Sequence, residues 1–78
     1  MNAARRKAIA AVLSTVEVAI SELETIRDSE QEAFDNMPEG LQSGERGEAA
    51  QTAIGSIEDS ISNLESARDS LSDAGGES

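Results

Sequence analysis

Three carboxylates, Asp28, Glu32 and Asp35, recur at intervals of four and three residues, and on a helix that spacing places them on one face. Oxygen ligands so arranged suit a hard cation. They belong to a larger group: between Asp28 and Glu48 the chain carries seven carboxylates against one cation, Arg46. No EF-hand spacing is present, and a run of like charge is usually a solvated helix face, so no metal ligand is expected. A ferritin-like di-iron site is disfavoured more strongly, because its Glu-x-x-His motifs require a residue type the chain lacks. The eleven serines have no histidine to activate them. Paired carboxylates on a thin helical structure have no deep pocket in which to act as general acid and base. Recognition is expected rather than catalysis: no enzyme activity, no catalytic residue and no cofactor.

The elements that must carry these groups are two helices. Ile9, Val12, Leu13, Val16, Ile20, Leu23 and Ile26 recur at threes and fours, which predicts a helix over about residues 3–35. Ala50, Ala53, Ile54, Ile57, Ile61, Leu64 and Leu71 predict a second over about 43–72. The corner that joins them, Gln31 to Ala49, holds the only Phe (Phe34), the only Pro (Pro38) and Met37. Pro38 stops a helix and disfavours helical backbone at Met37. Gly40 is expected to reverse the chain and Ser43 to cap the second helix, with Glu45 and Glu48 at the positive end of its dipole. Residues 73–78 read as a frayed, flexible acidic tail, which leaves 1–72 as one domain.

The fold class is therefore all-α, an antiparallel two-helix hairpin. Apolar positions match best when facing residues sum to about 80, with Ile9 near Leu71, Val16 near Leu64 and Leu23 near Ile57. The same register sets Arg5, Arg6 and Lys7 beside Asp69, Asp73 and Glu77, and Arg46 opposite Phe34 and within a turn of Glu30. Arg46 is expected either to latch the corner by stacking and pairing there or to form a partner-binding spot with Phe34. A lone pair of helices buries too little, and α-helical surface around Leu13, Val18 and Ile20 widens the apolar arc beyond one stripe. Those three are the candidate self-association residues, and two hairpins in a four-helix bundle are the expected assembly. Gly55 with Gly47, Ala49, Ala50 and Ala53 offers a small-residue surface, either for close approach of another backbone or as plain tolerance.

Seventy-eight residues bound the chain to a single domain. The formal charge of −10 argues against direct nucleic-acid binding, which draws on Lys and Arg, and against anionic membrane surfaces. Arg5, Arg6 and Lys7 followed by the apolar run from Ala8 to Ile20 resemble a secretory leader. Glu17 interrupts the run and no small-residue cleavage site follows, so a leader is not expected. That run is also too short for a membrane span of about 20 residues. With no Cys, no disulfide framework is available.

The stretch from Arg27 to Ala49 resembles the corner of a family of small phage and prophage helical-hairpin proteins, through Glu32, Asp35, Asn36, Pro38, Glu39, Leu41, Gln42, Glu45, Arg46, Gly47 and Glu48. It departs from that pattern at Gly44, where the resemblance expects Ser. The resemblance covers about a third of the chain and implies a phage origin, hence the cytoplasm of an infected or lysogenic bacterial host, with no settled activity. The function expected is that of a non-enzymatic accessory protein, an oligomeric helical interaction module that binds another protein, whose identity the sequence does not give. Candidate partner-binding residues are Phe34, Met37, Glu39, Leu41 and Arg46. The alternatives are an acidic mimic of nucleic acid, which the charge and the long helices suit, and a small structural or assembly component. Secreted helical hairpins of the WxG type lack support, because no Trp stands at the turn.

Overall fold

Asn2 starts the first helix. In the computed structural model, which describes residues 1–76, its side-chain oxygen accepts a hydrogen bond from the Arg5 amide at 2.8 Å, satisfying one of the donors that a helix start leaves unpaired. Helix α1 then runs over Ala3–Asp35. It ends where the sequence predicts. The Asn36 amide still donates to Glu32 O at 3.0 Å, but the Met37 amide tightens to Phe34 O at 3.0 Å, and Pro38, with φ −56° and ψ 147°, leaves the helical path.

The corner is more structured than a simple reversal. A one-turn helix, α2, occupies Glu39–Gln42. The amides of Leu41 and Gln42 both donate to Pro38 O, at 2.9 and 3.1 Å. Gly40 lies inside this turn, and no described residue takes a positive φ, so the expected reversal at Gly40 is replaced by Pro38 and the turn that follows. Ser43 belongs to α2 as well: its hydroxyl donates back to Glu39 O at 3.3 Å. It is therefore not the cap of the next helix. That position falls to Gly44, whose carbonyl accepts from the Glu48 amide at 3.0 Å.

Helix α3 spans Glu45–Gly76, so the second helix starts two residues later than expected and continues past residue 72. Asp73 to Gly76 are helical rather than a frayed tail, and Glu77 and Ser78 lie outside the described residues. The described residues hold no strand. The chain is all-α and elongated, 58 × 14 × 12 Å, with α1 and α3 packed against each other along their length.

The residues that meet between α1 and α3 step through each helix by alternating threes and fours, the coiled-coil repeat. On α1 they are Ile9, Leu13, Val16, Ile20, Leu23, Arg27, Glu30 and Phe34; on α3 they are Gly47, Ala50, Ile54, Ile57, Ile61, Leu64, Arg68 and Leu71, all buried or half-buried. Ile20, Ala50, Ile54 and Ile61 form the buried apolar core. Val12 and Ile26, which the periodicity also assigned to this stripe, stand outside it at 52% and 53% exposure, because a seam repeating every 3.5 residues is narrower than a full helical stripe.

The register differs from expectation by one turn. A Cβ placed on Gly75 would lie 3.4 Å from Ile9 Cγ2, so Ile9 sits beside Gly75, one turn beyond the expected neighbour Leu71. The charged ladder expected at the termini shifts with it. Arg68 and Asp69 pair with each other at 3.3 Å, Arg6 donates to Met1 O at 3.4 Å, and Glu77 lies outside the described residues.

Candidate functional site

The corner is held by a residue that sequence reasoning passed over. Gln42 Nε2 donates to Phe34 O at 3.1 Å and reaches Asp35 O at 3.5 Å. Those carbonyls belong to the last turn of α1, beyond the reach of the helix's own amides; Phe34 O accepts from the Met37 amide as well. Gln42 thus ties α2 to the end of α1. On its other side Gly47, buried in the first turn of α3, packs against the Gln42 backbone so closely that an added Cβ would overlap it. A signal for Gly47 was present in the sequence, since glycine is a poor choice in a helix unless another backbone comes close. Gln42 carried none, because a glutamine in a polar turn reads as an ordinary solvated side chain.

The expected latch does not form. Arg46 is exposed and takes part in no ion pair or hydrogen bond among the described residues. It lies one residue before the buried Gly47, on the flank of α3 and outside the seam. Of the other candidate partner-binding residues, Phe34 and Met37 are half-buried and Glu39 is exposed. Leu41, at 43% exposure, is a large apolar side chain left facing outward at the corner. A contrast follows from these placements. Gln42→Ala is expected to lower the unfolding free energy by about 0.5–1.5 kcal/mol, the usual net loss for a hydrogen bond of this kind. Arg46→Ala is expected to stay within about 0.5 kcal/mol of the parent. Urea midpoints of the two variants check both.

Two of the three carboxylates at helical spacing, Asp28 and Asp35, are engaged locally. Gln31 Nε2 donates to Asp35 Oδ1 at 2.9 Å, and Arg27 pairs with Asp28 at 3.1 Å. Among the described residues no three carboxylates converge as a metal site would need, and no pocket opens between the elements. No helix is long and apolar enough to cross a membrane.

The surface is divided more sharply than the composition suggests. On one side of the seam, α1 presents Ala8, Val12, Thr15, Ala19, Glu22, Ile26, Ser29 and Ala33, and α3 presents Ala49, Ala53, Ser56, Ser60, Asn63, Ala67, Ser70 and Ala74; Glu22 is the single charge in these spans, and the same flanks carry Arg5 before Val12 and Arg46 before Ala53. Ala19, Ala53 and Ala74 on this flank are half-buried against the neighbouring helix. The other side carries Lys7, Glu17, Glu24, Asp28 and Asp35 on α1 and Glu48, Glu58, Glu65 and Asp69 on α3, with Lys7 the one cation among these nine charges. This division redistributes the self-association candidates. Ile20 is 6% exposed and Leu13 half-buried, both within the α1–α3 seam, so neither is free to meet another chain. Val18 is exposed at 55%, on the outer side of α1 away from α3.

The small-residue surface is likewise resolved. Gly47 is the point of close backbone approach, and the approach is to Gln42 of the same chain, whereas a Cβ on Gly55 would meet nothing within 4 Å. Comparison with protein-family models, with curated proteins and with solved structures finds no match to this chain.

Proposed function

We propose that this protein is a non-enzymatic accessory protein of phage type, an antiparallel helical hairpin that self-associates and binds another protein at its corner. The end-to-end contacts support the hairpin: Ile9 near the start of α1 meets Gly75 in the last turn of α3, and Gly47 in the first turn of α3 meets the corner that ends α1. Counting residue for residue from Ile9 and Gly75 sets Ile20 opposite Leu64 and Phe34 opposite the small, buried Ala50. The observation that carries the binding site is Leu41. It stands exposed on a one-turn helix whose backbone is fixed from both sides, by Gln42 and by Gly47. An apolar side chain exposed on a corner fixed in this way, with exposed Arg46 and half-buried Met37 in the flanking chain, is the arrangement that anchors interfaces.

Affinity capture from a bacterial host lysate tests this reading. A protein held through Leu41 is expected to stay bound through high-salt washing and to be lost with Leu41→Asp. The acidic flank favours a second reading, a mimic of a polyanion. In that case capture fails at high salt, where exposed charges are screened within a few ångströms, and Leu41→Asp leaves it unchanged.

A further inference from the structure

We infer that the uncharged broad face of the hairpin, centred on Val12, Ala19 and Ile26 of α1 and Ala53, Ala67 and Ala74 of α3, is the face on which a second copy of this chain docks. The inference rests on the hairpin reading above and names its self-association surface. In an antiparallel pair of helices, the two uncharged flanks of the seam lie on the same side, and so do the two acidic flanks. The molecule then has one broad face on which Glu22 is the only carboxylate, with Arg5 and Arg46 at its ends, and one that is almost wholly acidic.

The occupant follows from charge. Each copy carries a formal charge of −10, and like charges brought together at an interface are costly. Two copies escape that cost only by meeting face to face across the uncharged side, which leaves both acidic faces pointing outward into solvent. A basic partner would choose the opposite face. Shape agrees with this. Such a contact is isologous, the same patch on both copies, which is how a two-fold dimer closes. The outline of the face, 58 by 14 Å, encloses about 800 Å², the area each partner contributes to a stable interface of ordinary size. Val12 and Ile26, at 52% and 53% exposure, are its apolar anchors, two heptads apart on one flank. Burying them also supplies what the monomer lacks, since among the described residues only four apolar ones are buried within one chain.

Sedimentation equilibrium of the full chain across the micromolar range tests the inference, with Ile26→Glu on the uncharged face and Ala10→Glu on the acidic side as a control of equal charge. The parent and Ala10→Glu are expected at twice the 8.2 kDa chain mass, and Ile26→Glu at the mass of one chain with its helical circular dichroism intact. Ile26→Gln, which keeps the charge unchanged, is expected to shift the equilibrium toward monomer in the same direction and stands in if the Glu variant unfolds. A parent that is monomeric throughout overturns the inference together with the self-association in the reading above. A dimeric parent that survives both Ile26 variants, or that dissociates equally with Ala10→Glu, overturns only the choice of face.

Discussion

Replacing Gly47 by alanine is expected to lower the unfolding free energy by about 1–3 kcal/mol, the range for forcing an extra methyl into a packed site. Two effects oppose each other. Alanine is the better helix former by about 1 kcal/mol, and Gly47 lies in α3. Its added Cβ, however, would overlap the carbonyl group of Gln42, and this is backbone, not the end of a flexible side chain. Gln42 cannot retreat without giving up its bonds to the last turn of α1. Relief requires α2 or the start of α3 to move, so the clash outweighs the propensity. Gly55→Ala isolates the propensity term. Nothing lies within 4 Å of the new methyl, and the variant is expected to gain about 0.5–1 kcal/mol. Paired thermal melts of the two variants, moving in opposite directions by about 4–8 °C per kcal/mol for a domain of this size, give the comparison. A stabilised Gly47→Ala would mean that the corner does not pack as described.

Ile61→Ala is expected to cost about 2–5 kcal/mol, the usual range for emptying a buried branched site. Ile61 is 5% exposed and, among the described residues, is one of four buried apolar ones, the others being Ile20, Ala50 and Ile54. A natural domain has roughly 5–15 kcal/mol in total, so this single deletion removes a large part of the margin. Val18→Ala is the matched control. Val18 is 55% exposed, and its truncation is expected within about 0.5 kcal/mol of the parent. Urea unfolding followed by circular dichroism separates the two, and equal midpoints would contradict the seam assignment.

Much of the architecture was legible because it is local. Spacings of three and four among Ile9, Leu13, Val16, Ile20 and Leu23 specify a helix wherever the chain goes, and Pro38 must end it, having no amide to donate. The capping role of Asn2, the one-turn helix at Glu39–Gln42 and the part played by Gln42 were not legible. Each depends on which backbone groups remain unpaired once the helices have formed. The register error has the same origin. Apolar stripes on two helices match at several offsets one turn apart, so a pattern alone does not choose between Leu71 and Gly75 as the neighbour of Ile9. The corner chooses, through the close contact of Gly47 with Gln42. The candidate site was legible in part for a related reason. Leu41, Met37 and Arg46 stood out as unusual residues between two plain helices, yet whether Arg46 pairs or stays free depends on where a neighbouring helix turns its carboxylates.

By itself the sequence determined that this chain is all-α, where its first helix ends and that its surface is acidic. Helical periodicity, the geometry of proline and the count of charges need no partner element to act. The tertiary structure decided which apolar residues are buried and which are left over. Packing selects one seam out of a wider apolar arc, placing Leu13 and Ile20 inside it and Val12 and Ile26 outside. It also sorted the carboxylates beside the seam, which are spread along the chain in sequence but, Glu22 apart, fall on one flank of each helix in space. A residue's face depends on the direction in which its neighbour lies, and that direction exists only after the two helices have met.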